Sequence, residues 1–332
     1  MSDTEGSKSE GLANAARQRH ATLMLVLVTL VWGVSFTWLK EWQVSAGECP
    51  GGGLLSSLTL IGIRMTVAFV LVAICLPRLT FGSTLREHAA GAIVGLTFFA
   101  GHLPQVWGLA TTSPAFSALF TSLASAWVPL VAWAYFGQRP AVWTLLGFAL
   151  AITGTLVISG IGSVSSFEGS SLKTGDWLTL IASVAFAVQV LVLDRLGRLA
   201  RPGHITAGFF AGPGLFSLAL AAAVAALGPG TDAWWSWLAG SLRDPKVQMN
   251  IVQLTLLPTA LGFHLMNVYQ PRLGASRAAL IYLLEPVFAS VYSVWQGHDR
   301  VTAALLLGGC LILTGNALAE APNWLPRRAQ KA

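Results

Sequence analysis

Residues 274–296 read Gly-Ala-Ser-Arg-Ala-Ala-Leu-Ile-Tyr-Leu-Leu-Glu-Pro-Val-Phe-Ala-Ser-Val-Tyr-Ser-Val-Trp-Gln, a stretch about as long as one helical membrane crossing. After Arg277 its only charged residue is Glu285, which lies near the middle and is followed by Pro286. A carboxylate at bilayer depth costs a few kcal/mol unless it is paired, protonated or facing water. The stretch therefore predicts a transmembrane helix whose central acid has either a structural partner or a role in function.

The composition of the whole chain indicates an integral membrane protein. Of its 332 residues, 54% are hydrophobic and 10% are charged, and the mean hydropathy is +0.65. Soluble domains carry about 25% charged residues, so this chain is too apolar for a water-soluble fold. The net charge of +6 lies in loops between apolar runs. That distribution is typical of membrane topology rather than of nucleic-acid binding.

Ten apolar runs of spanning length follow one another along the chain. They cover roughly residues 22–40, 54–77, 88–109, 113–136, 141–159, 176–196, 204–227, 250–270, 275–296 and 302–320. An even number of crossings places both termini on one side. That side carries 14 of the lysines and arginines against 5 on the other, which predicts cytoplasmic termini. The expected localisation is the inner (plasma) membrane, as a multi-pass protein.

The first half of the sequence aligns with the second at a constant offset of 161 positions. The alignment places Leu145-Leu146-Gly147 on Leu306-Leu307-Gly308, Thr153-Gly154 on Thr314-Gly315, and Arg139 on Arg300. Each copy holds five apolar runs, an odd number, so the second copy enters the membrane from the opposite side. The predicted fold is therefore an all-α membrane protein with ten transmembrane helices as two inverted five-helix repeats (5+5), the architecture of many secondary transporters.

The repeat also defines the expected domains. They are a cytoplasmic tail at 1–20, a first repeat at 21–160, an outer linker at 161–175, a second repeat at 176–320 and a cytoplasmic tail at 321–332. The linker is rich in Ser and Gly, as flexible connectors are. The longest outer loop, 228–249, carries three tryptophans beside a charged turn and predicts a short interfacial helix.

Motifs for catalysis, cofactors or metals are not found in the chain. It has no phosphate-binding glycine loop, no nucleophile elbow and no His/Cys cluster with metal spacing, and its three cysteines predict no disulfide. We therefore expect no cofactor, no metal, no catalytic residue and no nucleic-acid partner. The expected partners are a small-molecule solute and the lipid bilayer, while monomer and homodimer both stay open.

Several short motifs, taken together, resemble the EamA-type transporters of the drug/metabolite transporter superfamily. They are Trp32-Gly33-Val-Ser-Phe36, Gln105-Val-Trp-Gly108-Leu-Ala-Thr-Thr112-Ser, Phe136-Gly-Gln-Arg139-Pro, and Arg277-Ala-Ala-Leu280 through Leu284-Glu285-Pro286-Val. The resemblance covers about residues 22–320. It implies export of amino acids or related solutes by alternating access, through a central cavity. The turn that is Gly-Glu-Arg in the family reads Gly137-Gln138-Arg139 here, so the first copy lacks that acid.

Polar and aromatic residues inside the apolar runs are the candidates for a substrate site. Polar interruptions in the repeat-related third and eighth runs point to a site near the midplane. Together with residues of the first, second, sixth and ninth runs, the predicted substrate-binding residues are Trp32, Ser35, Arg64, His102, Gln105, Trp107, Gln189, His264, Asn267, Tyr282 and Glu285.

Glu285 and Arg64 are the two charged candidates. Glu285 has three interpretations: a proton-coupling carboxylate, the partner of a buried cation, or a polar group that holds helices together. Arg64 keeps its proton, so it binds a substrate carboxylate, pairs with Glu285 or extends to the outer interface. Coupling to protons rests on Glu285, His102 and His264. Ala124 aligns with Glu285, which excludes a symmetric two-acid scheme.

Two other functions stay open from the sequence. A membrane-embedded enzyme on a lipid-soluble substrate would need a second acid or a metal ligand near Glu285. A non-transporting membrane scaffold would pair its intramembrane polar groups with one another and leave no cavity.

Overall fold

The computed structural model describes residues 2–137, 141–158 and 173–320, and within these ranges the chain is helical with no strand. In the same ranges, eight helices are long and apolar enough to cross a membrane. Two shorter apolar helices, Val142–Val157 and Ala303–Leu318, lie where the fifth and tenth runs are predicted. An all-helical membrane fold is therefore confirmed. Most of the predicted linker, the residues Gln138 and Arg139, and the tail 321–332 lie outside the described residues.

The helices follow the predicted runs closely. Those of the first half are α1 (Ser2–Ser45), α2 (Gly52–Cys75), α3 (Pro77–Phe81), α4 (Leu85–Gly108), α5 (Pro114–Ser122), α6 (Ala124–Phe136) and α7 (Val142–Ile158). Those of the second half are α8 (Thr174–Leu199), α9 (Thr206–Leu227), α10 (Thr231–Ser241), α11 (Pro245–Leu254), a π-helix (Thr255–Phe263), α12 (His264–Leu273), α13 (Ala275–Tyr282), α14 (Glu285–Trp295) and α15 (Ala303–Glu320). α10 is a short helix in the tryptophan-rich loop, where the sequence predicts one.

Local sequence accounts for where several helices begin and end. α4 starts with a capping box, in which Glu87 N donates to Thr84 Oγ1 and Thr84 N donates to Glu87 Oε2. Ahead of α5, Ser113 Oγ accepts from Phe116 N over 3.2 Å, and Pro114 occupies the first turn, where a missing N–H costs nothing. α6 ends at Gly137, whose φ of 69° is left-handed and favours glycine.

Two of the predicted membrane-spanning segments are interrupted in the middle. The segment made by α5 and α6 is interrupted at Leu123, and the segment made by α13 and α14 is interrupted at Leu283–Leu284. α6 begins at Ala124 and α14 begins at Glu285, two positions that the internal repeat aligns with each other. The same alignment pairs the first residue of α7 with the first residue of α15. The register of these helices agrees with the duplication in the sequence.

α7 and α15 cross through a pair of glycine contacts. A Cβ added to Gly154 would lie 2.6 Å from the carbonyl oxygen of Gly308, and one added to Gly315 would lie 2.5 Å from that of Gly147. Gly308 and Gly315 are the repeat equivalents of Gly147 and Gly154, so each helix presents the same surface to the other. Such close backbone approach is a common basis of helix association in lipid.

The buried core lies where α4 packs between α8 and α9. Its aromatic centre is Phe98 with Phe209 and Phe263, whose ring centroids are 5.6 and 4.5 Å from that of Phe98. This cluster supports one side of the site described below, because Phe98 and Phe263 also belong to its wall.

Candidate functional site

A chamber of about 90 Å³ lies in the middle of the bundle, beside the two broken crossings. It has room for several water molecules, since one needs about 10–15 Å³. Its wall is formed by α1, α2, α4, α5, α6, α8, α12, α13, α14 and the π-helix, so both halves of the chain contribute to it.

Most of the predicted site residues meet in this chamber. Eight of them line its wall: Trp32, Ser35, Arg64, His102, Gln105, Gln189, Tyr282 and Glu285. Thr121, Ser125 and Phe186, which the prediction left out, also line it.

Three predicted residues lie outside the chamber wall. Trp107 packs beside Gly53 and is 38% exposed. His264, the first residue of α12, has its Nδ1 3.2 Å from Thr206 Oγ1 on α9. Asn267 is buried, and both atoms of its amide lack a hydrogen-bond partner within the described residues. Helical periodicity explains the difference on α4, where His102 and Gln105 share a face that Trp107 does not.

Arg64 is a buried cation without an acidic partner in the part of the chain that the structure describes. Its Nε and Nη2 donate to Thr259 Oγ1 over 3.1 and 2.7 Å, and its Nη1 lies 3.3 Å from His102 Nε2. Among the described residues it forms no ion pair with an acid, so the pair with Glu285 that the sequence allows is not made. Because Arg64 belongs to the chamber wall, its charge is available to an anionic ligand there.

A chain of hydrogen bonds leads from Arg64 to the break at Leu123. A guanidinium only donates, so His102 Nε2 accepts from Arg64, and the ring hydrogen is on Nδ1, which donates to Gln105 Oε1 over 3.0 Å. Gln105 Nε2 then donates to Thr121 Oγ1 over 2.9 Å. His102 is therefore neutral in this arrangement, because a second ring proton would face the Arg64 cation.

The π-helix supplies two polar contacts at the chamber. Thr259 holds Arg64 and donates its own hydroxyl hydrogen to the Leu254 carbonyl over 2.6 Å. The carbonyl oxygen of Pro258 accepts from Trp32 Nε1 over 3.0 Å. π-Helical turns are rare in proteins, and those that do form are often found at functional sites. Thr259 was not predicted as a site residue; its sequence cue is the neighbouring Pro258, which lacks an N–H and disturbs the α-helical register.

Glu285 lies on the chamber wall at the N-terminus of α14. The unpaired N–H groups and the dipole at this end of a helix favour a negative charge. Pro286 falls in the first turn of α14, where it costs no hydrogen bond. Within the described residues, Glu285 has no ion pair with a basic side chain. The break thus gives the acid a favourable electrostatic position and leaves its carboxylate open to the chamber.

Aromatic and aliphatic side chains form much of the remaining wall. Trp32 packs between Phe263 and Tyr282, with ring centroids 5.1 and 5.6 Å away. Tyr282 is held by its hydroxyl, which donates to Gln270 Oε1 over 2.8 Å. Phe36, Leu39, Val128, Val190 and Met266 add further apolar surface. A ligand in this chamber meets one cation, one carboxylate and an apolar surface.

Comparisons with a family model and with individual proteins both find similarity to transporters. Residues 173–319 match the EamA-like transporter family. A protein of Archaeoglobus fulgidus described as an uncharacterized transporter is 25% identical over 312 residues, covering 92% of this chain and 87% of its own. A probable terminal-alkyne amino-acid exporter of Streptantibioticus cattleyicolor is 27% identical over 298 residues, covering 89% of this chain and 91% of its own.

The fold is also similar to a solved structure. A protein of known crystal structure superposes with a TM-score of 0.57 at 21% sequence identity, over 94% of this chain and 99% of that chain. At this level of identity the similarity concerns the fold alone.

Proposed function

We propose that this chain, which belongs to the EamA-type transporters of the drug/metabolite transporter superfamily, is a secondary transporter that exports amino acids or closely related solutes. In this proposal ten helices form two inverted repeats, at 21–160 and 176–320. Their relative movement exposes the central chamber to one side of the inner membrane and then to the other. Both termini are cytoplasmic.

The observation that carries the substrate class is that one basic and one acidic side chain line the same chamber. Arg64 and Glu285 both line the wall, and neither has an oppositely charged partner within the described residues. A free amino acid carries a carboxylate for Arg64 and an ammonium group for Glu285. The apolar wall around Trp32 suits the side chain. Such a zwitterion offers an opposite charge to each of these two side chains, which neither a simple anion nor a simple cation does.

Two further facts support this reading. The Streptantibioticus relative is described as a probable terminal-alkyne amino-acid exporter, and the match covers 89% of this chain at 27% identity. The chamber also counts against the scaffold hypothesis, which expects paired polar groups and no cavity. For the enzyme hypothesis, a second acid is needed beside Glu285. Within the described residues, Glu285 is the only carboxylate on the chamber wall.

Flux measurements test the proposal. Purified protein in proteoliposomes should exchange radiolabelled amino acids with apolar side chains faster than protein-free liposomes do. Because removing a charged hydrogen-bond partner costs about 1.5–3 kcal/mol, Arg64→Gln should weaken apparent affinity roughly 10- to 100-fold. If no amino acid in the panel is transported by the wild-type protein, the proposal is wrong.

Modified substrates assign each end of the amino acid to one residue. A methyl ester lacks the carboxylate and should bind weakly to the wild-type protein. In Arg64→Gln the ester and the free acid should compete about equally. An N-acetyl derivative lacks the ammonium charge and should show the same behaviour towards Glu285→Gln. An ester penalty that persists in full in Arg64→Gln would assign the carboxylate to another group.

A further inference from the structure

Two half-helices lie between the chamber and the end of the bundle that is predicted to face away from the cytoplasm. They are α5 and α14, which pack against each other. The inner end of each lies at a break beside the chamber, at Leu123 for α5 and at Leu283–Leu284 for α14. We refer to α5 and α14 together as the outer door.

The carboxylate of Asp299 ties the outer ends of the two half-helices together. Its Oδ2 accepts a hydrogen bond from Ala115 N, in the first turn of α5, over 3.1 Å. The same oxygen accepts from Ser293 Oγ, near the end of α14. A carboxylate at a helix N-terminus satisfies an N–H that has no partner within the helix. Since Ala115 and Asp299 belong to different halves of the chain, this contact holds the halves together.

Lys40 holds the segment that leads into α5. Its ammonium group, near the outer end of α1, donates to the carbonyl oxygens of Leu109, Ala110 and Thr112 over 2.8, 3.0 and 3.2 Å. These carbonyls lie just after the end of α4, where no further helical N–H group is available to donate to them. Lys40 therefore holds the chain just before α5, while Asp299 holds the first turn of α5. Together their contacts connect α1, α5 and α14.

Within the described residues, the contact made by Lys40 is not repeated at the inner end of the bundle. Arg201 is the residue that the internal repeat aligns with Lys40. It donates to Glu87 Oε2 and to the Gly82 carbonyl, each over 2.7 Å, rather than to the carbonyls before α13. Its hydrogen bond to Glu87 raises the pKa of Arg201. Gln138, the equivalent of Asp299, lies outside the described residues. Lys40 thus has a contact that its counterpart lacks.

Both parts of the outer door also reach the groups that would bind the substrate. Glu285 is the first residue of α14. Thr121, near the end of α5, is connected to Arg64 through Gln105 and His102. A zwitterion that bridges Arg64 and Glu285 therefore contacts one group belonging to α14 and another coupled to α5.

We propose that the outer door is the outer gate of the transport path. In this proposal the contacts of Asp299 and Lys40 keep the gate closed, and the gate opens when α5 and α14 bend at their two breaks. This proposal rests on the transport function proposed above. It assigns to Asp299 and Lys40 a positioning role, because neither residue lines the chamber.

Thiol labelling tests the gate without requiring transport. Ser35, on the chamber wall, is replaced by cysteine in a chain whose Cys49, Cys75 and Cys310 are serine. A membrane-impermeant maleimide is then added to the outside of intact cells. Asp299→Ala and Lys40→Met should each raise the labelling rate of Ser35→Cys about tenfold, the change expected from losing one helix-end contact.

A matched control separates the gate from general loosening. Asp244 caps another outer helix, where its Oδ1 accepts from Lys246 N over 2.8 Å, so Asp244→Ala should leave the labelling rate unchanged. A parallel chain that keeps only Cys75, at the inner end of α2, should stay unlabelled in every variant. If the reagent reaches Cys75 in Asp299→Ala, the barrier to the inner side is lost in that variant and Lys40→Met decides the question.

The outcomes for gate and function are distinct. The gate would be overturned if Ser35→Cys were labelled at the same rate in Lys40→Met, Asp299→Ala and Asp244→Ala while Cys75 stayed unlabelled. That conclusion holds whether or not amino acids are transported. A rise in labelling in a protein that transports no amino acid would support the gate and refute the proposed substrate.

Discussion

At the scale of single residues, one threonine determines how Arg64 presents its charge. Thr259 accepts two hydrogen bonds from the guanidinium, so the plane of Arg64 is set before a ligand arrives. An ordered arginine loses less conformational entropy when it binds a carboxylate. Thr255, earlier in the same π-helix, is buried too, but its hydroxyl has no partner within the described residues.

This difference makes the two threonines a matched pair. Thr259→Val keeps the shape of the side chain and removes the acceptor for Arg64. It should weaken amino-acid affinity by about tenfold, which corresponds to about 1.4 kcal/mol. Thr255→Val removes an unsatisfied hydroxyl and should leave affinity unchanged. Competition binding on both variants checks the prediction, and equal affinities would show that Thr259 does not orient Arg64.

At the scale of helices, the crossing of α7 and α15 depends on the absence of side chains. Gly154→Val would force its Cβ against the Gly308 carbonyl oxygen and separate the helices. Overpacking of this kind costs about 1–3 kcal/mol, so the melting temperature in detergent should fall clearly. Gly309→Ala, also on α15, is the control, because its Cβ would lie 3.6 Å from Leu119 Cδ2, an ordinary contact. Equal melting temperatures for the two variants would contradict a tightly packed crossing.

At the scale of the whole molecule, one side chain remains as the candidate carrier of protons in the chamber. His102 accepts a hydrogen bond from Arg64, and His264 lies outside the wall, so neither is placed to carry a proton with the substrate. Glu285 is open to the chamber, and a carboxylate can take up a proton as the cavity changes sides. We therefore predict that, of the three proposed groups, Glu285 is the one that carries the coupled proton.

If Glu285 carries the coupled proton, Glu285→Gln should abolish amino-acid accumulation driven by a proton gradient. Exchange of labelled for unlabelled amino acid, which needs no gradient, should continue at a reduced rate. His264→Gln should retain both activities. The measurement is uptake into proteoliposomes with and without an imposed pH difference, and wild-type flux that is the same in both conditions would remove proton coupling.

The sequence predicted the helical membrane fold, and eight of its eleven candidate residues lie on the chamber wall, for identifiable reasons. Apolar runs of spanning length are visible without a structure, and buried polar residues such as Arg64 and Glu285 stand out within them. The breaks and the π-helix are not visible, because they depend on hydrogen-bond register. Rotation about a helix axis also separates neighbours: Met266 lines the chamber, while Asn267, one residue later, does not. The contact between Arg64 and Thr259 joins residues 195 positions apart, which no local pattern reveals.

The glycine contacts between α7 and α15 also bear on how such a chain arose. Gly147 meets Gly315 and Gly154 meets Gly308, so a local two-fold axis relates one helix to the other. Two identical five-helix chains inserted in opposite orientations would make this same contact as a dimer. Joining them in one gene fixes both orientations in every molecule and allows each copy to mutate alone. Glu285 in one copy, aligned with Ala124 in the other, is the kind of change that such a fusion permits.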